Sequence, residues 1–199
     1  MFMIKLITIL TVLELGFEEK EMIENLYEFK IPFKPSMFKL LRKRPKWLVI
    51  HHTSEIYDEP SVKIDNDQYQ YGHIMNQVLE KKQGDVNYHF VIEKIKGDYV
   101  PIVARPLFFE CTFPDIHPDI NHAAIHIALL GNYTLAIPEK RLYEVLAYKI
   151  LNPFLKIYSL NTNRVVLHRD ISLKKKIECP GLFTKGMIIQ SMIRKFVLV

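Results

Sequence analysis

Short apolar runs of strand length alternate along this chain with longer segments of helical period, and that alternation restricts the fold class more than any other feature. Trp47-Leu-Val-Ile-His-His52 reads as a buried strand. Asp67 to Lys82 has helical character and is ended by Gly84. Val86-Asn-Tyr-His-Phe-Val-Ile-Glu93 predicts a strand, and Lys96-Gly-Asp98 a hairpin turn into Tyr99 to Ala104. Ala123 to Leu130 predicts another strand, closed by Gly131-Asn132. Pro138 suits a first helical position, with Glu139 in the first turn and Leu142, Val145, Leu146 and Ile150 as a core face. Pro153 should kink or divide that helix. Arg164 to Leu167 is a further strand, and Met187 to Phe196 a last helix. Strands separated by helices predict an α/β sheet with helices on its faces.

At 199 residues, 49% hydrophobic and 25% charged, the chain suits one ordinary globular domain and not wholesale disorder. No apolar run reaches the ~20 residues that span a bilayer, so no transmembrane segment is expected. Cys111 and Cys179 are too few for a disulfide framework; they leave one disulfide, two free thiols or a metal ligand. A net charge of +5 and a pI near 9.0 suit a nucleic acid, an anionic membrane or an acidic polymer such as a cell wall. The basic runs at residues 39–46 and 174–176 read as solvated loops. Without zinc-finger spacing or a base-reading basic helix, no nucleic-acid partner is expected.

Met1 to Leu13 is apolar except for Lys5 and two threonines, then meets Glu14. This order resembles a secretory signal or anchor over 1–16, yet no small-x-small cleavage site follows, and an N-terminal helix packed on the domain is the other reading. Residues 17–29 predict a charged helix with Met22, Leu26 and Phe29 on one face, broken by Pro32 and Pro35. Residues 1–45 are therefore expected to be a leader or helical adaptor, and 46–199 the domain proper.

Three segments place metal-type ligands at predicted strand ends. His51 and His52 end the first strand, His168 ends Val165-Val-Leu167, and Cys179 lies eleven residues later in a loop closed by Pro180-Gly181. A catalytic zinc keeps three protein ligands, nitrogen or sulfur at roughly 2.0–2.3 Å, and one open position. Two histidines from separate strands and one cysteine meet that count.

Taken in order, Val49-Ile-His-His-Thr53, Val86-Asn-Tyr-His-Phe-Val-Ile92, Ile127-Ala-Leu-Leu-Gly-Asn-Tyr133, Leu167-His-Arg-Asp170 and Glu178-Cys-Pro-Gly181 resemble the type 2 N-acetylmuramoyl-L-alanine amidases, a family that includes phage lysis amidases and peptidoglycan recognition proteins. The resemblance covers about residues 46–195. It implies a mixed central β-sheet flanked by helices with a zinc cleft on one sheet face. It implies hydrolysis of the amide between N-acetylmuramic acid and L-alanine, with Zn2+ as cofactor and peptidoglycan (muramyl peptide) as partner. Matched position by position, His51, His168 and Cys179 would be the metal ligands, and the Tyr88 hydroxyl would serve the developing oxyanion. His52 would be structural, because adjacent strand residues point to opposite faces. The cysteine ligand suits the phage and recognition-protein branch better than the cytosolic recycling branch, which carries an aspartate there. A monomer acting in the cell envelope or outside the cell is expected, released by lysis if the chain is phage-derived.

The chain departs from that pattern in three places. Ile177 stands where the family has lysine or threonine, so Lys176, or Lys175, would have to supply a cation from a loop about three residues longer than usual. His126 replaces a frequent glycine, and a buried imidazole there needs a partner. The usual histidine segment before Asn121 is unclear, leaving His117 and His122 as candidates to line the cleft for substrate. Asp170 is expected to serve the turn after His168. These departures keep a non-catalytic peptidoglycan-binding module on the same fold as the alternative to an enzyme.

Overall fold

The computed structural model describes residue 27 and residues 29–30, 44–54, 86–95 and 97–193. The predicted helix over 67–82 and the segment 1–16 lie outside the described residues. Among the described residues six strands form one mixed sheet: β1 (Phe29–Lys30), β2 (Trp47–His52), β3 (Phe90–Ile95), β4 (Asp98–Val103), β5 (Ala124–Leu129) and β6 (Val165–Leu167), in the order β1-β4-β3-β5-β2-β6. Every neighbouring pair is parallel except the β3/β4 hairpin. Ile95 pairs with Asp98 across that hairpin, and Gly97 takes a left-handed φ of 84°, which a glycine adopts without a Cβ clash.

The sheet carries apolar side chains on both faces. Leu48, Ile50, Phe90, Ile92, Ile125, Ile127 and Leu167 meet the helical layer through Leu142, Leu146, Ile150, Phe154 and Phe183, all fully buried or nearly so. Val49, Ala124 and Val166 face the other way with Ile116, as do Val91, Ile102 and Ala128. That two-sided burial is why β2 and β5 read as continuous apolar runs.

Helices α1 (Pro118–Asn121), α2 (Lys140–Val145), α3 (Asn152–Ile157), α4 (His168–Ile171) and α5 (Lys185–Ile193) follow in chain order. No helix among the described residues is long and apolar enough to cross a membrane.

Several predicted boundaries move. The strand expected from Val86 begins only at Phe90, although the His89 N–H already donates to the His126 carbonyl of β5 at 2.9 Å. The end of the helix expected over 17–29 is instead strand β1, so the sheet edge draws on residues from the leader segment. Pro138 precedes α2, and Glu139 holds the N-cap position without a side-chain capping bond, its carboxylate pairing with Lys94 at 2.9 Å instead.

Pro153 divides the long helix as expected, through a stretch of π-helix at Leu146–Leu151 between α2 and α3. There the Asn152 N–H reaches back five residues to the Ala147 carbonyl. Proline has no N–H to offer the carbonyl four residues back, that of Lys149. The Tyr27 hydroxyl donates to that carbonyl at 2.9 Å, while its ring packs 4.8 Å from Phe90. Tyr27→Phe keeps the ring and removes only the donor. It should cost about 1–2 kcal/mol in urea denaturation, the usual loss for a half-buried hydrogen bond with an acceptor left behind.

Candidate metal centre

Parallel register brings the first two candidate ligands together. Ile50 pairs with Leu167, so His51 and His168 occupy the next position on neighbouring chains. Ile50 and Leu167 both face the helical core, so the following pair faces away from it. The two imidazole centroids lie 4.6 Å apart, both rings buried.

Cys179 completes the group. One ligand atom from each of His51, His168 and Cys179 lies within 4.8 Å of the other two. The Cys179 sulfur is 3.9 Å from His51 Nδ1 and accepts from the His52 backbone N–H at 3.3 Å. Both cysteines are free thiols. The loop carrying Cys179 is pinned on two sides. The Arg169 backbone N–H donates to the Cys179 carbonyl at 3.0 Å, and the Arg169 guanidinium donates to Gly181 O and to Phe183 O. Gly181, at φ 78°, presses on the Tyr133 backbone, where a Cβ would fall 2.1 Å from the carbonyl carbon. Only glycine fits that approach.

Each imidazole has one nitrogen tied behind the site. His168 Nε2 lies 2.9 Å from Asp115 Oδ2, and His51 Nε2 lies 2.9 Å from His126 Nδ1. The nitrogen left over on each ring is Nδ1, and on His51 it is the one facing the sulfur. Histidines that bind metals almost always have their second nitrogen held in this way. Asp115 is itself held by the Ser172 hydroxyl at 2.9 Å, and its carbonyl accepts from Leu173 N–H. Phe113 stacks on His51 at 4.4 Å with 18° between planes, giving the group an apolar wall. Asn121 braces that segment, donating from Nδ2 to Phe113 O and Ile116 O at 2.8 and 3.1 Å.

His52 takes no part in the group. Its Nδ1 accepts from the Tyr133 N–H at 3.1 Å, and its Nε2 meets the Ser54 hydroxyl at 3.0 Å, so it ties β2 to the loop after β5. A strand running from Val86 would put Tyr88 on one face with Phe90 and Ile92, but Tyr88 precedes β3 and does not share that face. It packs with the Val91 side of the sheet, its ring 5.4 Å from His51 and 5.6 Å from Phe113. Residue 88 lies outside the pleat, so the two-residue period does not bind it.

Lys176 is exposed with a left-handed φ of 65°, and Ile177 beside it is partly buried. His117 is exposed and caps α1, its Nδ1 accepting from Asp119 N–H at 3.3 Å. His122 pairs with the buried Glu110 carboxylate at 2.7 Å. Asp170 accepts from the Leu167 N–H at 3.4 Å and so serves the turn. Sequence reasoning missed Asp115 and Phe113. Nothing local marks an aspartate 53 positions before the histidine it holds.

A mixed sheet with an imidazole and thiol cluster at the ends of two parallel strands defines a class of α/β proteins, and sequence comparison narrows it. The family profile described as N-acetylmuramoyl-L-alanine amidase matches residues 41–182, and the chain belongs to that family. Such proteins cleave or bind peptidoglycan. No curated protein matches the sequence. Among solved structures, the N-acetylmuramoyl-L-alanine amidase LysC from Clostridium intestinale URNW is similar at 19% identity and TM-score 0.56, covering 82% of this chain and 95% of that one. Drosophila peptidoglycan recognition protein SD is similar at 20% identity and TM-score 0.56, over 80% of this chain and 88% of that one. The ectodomain complex of peptidoglycan recognition proteins LCa and LCx with bound tracheal cytotoxin is similar at 20% identity and TM-score 0.53, over 79% of this chain and 87% of that one. At these identities the likeness establishes the amidase and recognition-protein fold.

Burial, then the neighbouring imidazoles, holds His51 and His126 well below the ordinary histidine value of 6.5. Burial also lowers His168, although Asp115 pulls the other way. In the metal-free protein these rings stay neutral where histidines of the unfolded chain take up protons. The unfolded state therefore binds more protons below pH 6.5, and stability falls on acidification. Chemical denaturation with chelator present should show stability dropping from pH 7 to 5. The slope should approach about 1.4 kcal/mol per pH unit for each ring that stays neutral. A flat profile would mean that the cluster is protonated in the native state.

Proposed function

We propose that this chain is a zinc-dependent amidase that hydrolyses the bond between the lactyl group of N-acetylmuramic acid and L-alanine of the stem peptide. The observation that carries the reading is the convergence of one donor each from His51, His168 and Cys179 within 4.8 Å. The donor set fits the metal: two imidazoles and one thiol are a three-ligand zinc set with one position left for chemistry. The tied Nε2 atoms leave Nδ1 of both histidines for coordination. Bound there, zinc would supply a Lewis acid that activates water near neutral pH and polarises a carbonyl.

The remaining work falls to residues of the chain. Tyr88, on the His51 side of the group, donates its hydroxyl to the oxygen on which charge develops as the amide carbon becomes tetrahedral. Phe113 keeps water from the imidazoles. Ile177 offers no donor, so Lys176 or Lys175, both exposed on the same loop, carries the second positive contact to the oxyanion. His117 and His122 border the muramyl peptide. Residues 46–199 form the amidase-like domain with 1–45 as leader or adaptor, acting as a monomer on peptidoglycan in the envelope or outside the cell. A peptidoglycan-binding module without catalysis is the second reading, favoured by Ile177.

Digestion of purified peptidoglycan, read as new L-alanine amino termini, separates the two readings. Amino termini that appear with the wild type and vanish with chelator are expected; their absence in a zinc-loaded sample would leave the binding module. Cys179→Ser should lose most zinc affinity and all hydrolysis, because a neutral hydroxyl is a poor ligand beside a thiolate. Cys111→Ser should change neither, since its sulfur lies 3.3 Å from His89 and outside the ligand group. Equal behaviour of the two variants would refute the ligand assignment.

Tyr88→Phe keeps the ring contacts and removes the donor. Turnover should fall by about 10²–10³ with zinc content and thermal stability unchanged. Ile177→Thr or Ile177→Lys should raise the rate if position 177 faces the substrate.

A further inference from the structure

The His51 imidazole is backed by another imidazole, and the tautomers along this chain can be followed from the outside inward. His89 Nδ1 accepts from the His126 backbone N–H at 3.0 Å, so its proton sits on Nε2, which donates to the Phe109 carbonyl at 2.8 Å. His126 lies beside it, fully buried. Its ring is nearly parallel to His89 at 6.1 Å and is covered by Phe113 at 4.7 Å. Its Nδ1 meets His51 Nε2 at 2.9 Å, and among the described residues its Nε2 has no hydrogen-bond partner.

Two proton arrangements satisfy the contact between His51 and His126. If His126 donates, His51 keeps its proton on Nδ1, the atom 3.9 Å from the Cys179 sulfur, and has no lone pair there. If His51 donates from Nε2, its Nδ1 lone pair is free towards Cys179 and His168, and the remaining His126 proton sits on the unpartnered Nε2. Only the second arrangement lets His51 join a metal site.

We propose that His126 is a positioning residue: its Nδ1 accepts the His51 Nε2 proton, locks that ring and its tautomer, and so presents His51 Nδ1 to the metal. The inference rests on the zinc reading above. The unpartnered Nε2 of His126 is the cost of placing an acceptor behind His51.

The test compares the wild type with His126→Phe and His126→Asn, whose side-chain oxygen can take the place of Nδ1. Zinc dissociation constants come from chelator competition, and thermal stability is measured on the metal-free proteins. Imidazole 15N shifts of wild-type His51 are read with and without zinc. His126→Phe should bind zinc about 10–100-fold more weakly, the usual effect of losing a partner behind a ligand. His126→Asn should stay within a few-fold of the wild-type affinity, and His51 should carry its proton on Nε2 in the zinc-loaded protein. Wild-type affinity in His126→Phe would overturn the proposal. So would affinity that falls in step with stability in both variants, or a His51 proton on Nδ1 when zinc is present. A wild type that takes up no zinc would overturn the zinc reading and this inference together, whereas an unaffected His126→Phe would overturn this inference alone.

Discussion

The parallel pairing of β2 with β6 is the constraint on which the site depends. Strand β2 lies between β5 and β6 and is buried on both faces, so its register is strongly specified: a slip of one residue would turn Leu48 and Ile50 away from the helices. That same register sets His51 beside His168 at the carboxyl ends of adjacent parallel strands, where open α/β sheets commonly place ligand sites. The apolar residues that hold the sheet together therefore also fix the spacing of two donors. The third donor comes from the loop after α4, and the contacts of Arg169 and Gly181 replace the missing ladder in holding it.

A second layer converts proximity into orientation. Asp115 and His126 approach the two histidines from different segments, and each takes the Nε2 nitrogen of its partner. The chain between β4 and β5 supplies Asp115, Phe113 and the Asn121 brace, so a stretch with little regular structure does as much for the site as the strands do. A single short bridge between Ile116 and Ser172 links this stretch to the end of α4, which carries His168. Backbone pairing there lets Asp115 reach His168 and the Ser172 hydroxyl at once.

Much of the fold was legible because burial writes itself into composition. Trp47–His52 and Ala124–Leu129 are apolar on both faces and could be placed within a residue. The core face of Leu142, Val145, Leu146 and Ile150 followed from its period, and the break at Pro153 from the missing N–H. The candidate ligands were legible as well, since imidazole and thiol at strand ends are rare residue types in a telling order. Illegible were the features that depend on distance in sequence. Asp115 pairs with a histidine 53 residues away, and no local pattern marks it. Tyr88 broke the two-residue period because it lies before β3, which starts at Phe90. Tyr27 serves a carbonyl 122 positions later and sits in a segment that composition alone separated from the domain.

The electrostatics of the buried group are consistent with the divalent ion of the proposed zinc site. Without a cation, burial keeps His51 and His168 neutral and pushes the Cys179 thiol up to about 12, so the ligands carry no charge at neutral pH. Asp115 is different: burial opposes its charge, but the Ser172 hydroxyl and the His168 ring outweigh that, and its carboxyl stays below the ordinary range. The neutral imidazoles already stand in the protonation state a metal requires, and only one proton, that of Cys179, has to leave. After it leaves, the thiolate and the Asp115 carboxylate bring two negative charges against the two positive charges of the ion. A buried site with balanced charge avoids the large penalty of an isolated ion in low dielectric. A monovalent cation would leave that balance negative and a trivalent one would leave it positive, so a dication, as in the proposed zinc site, is the charge these groups would balance.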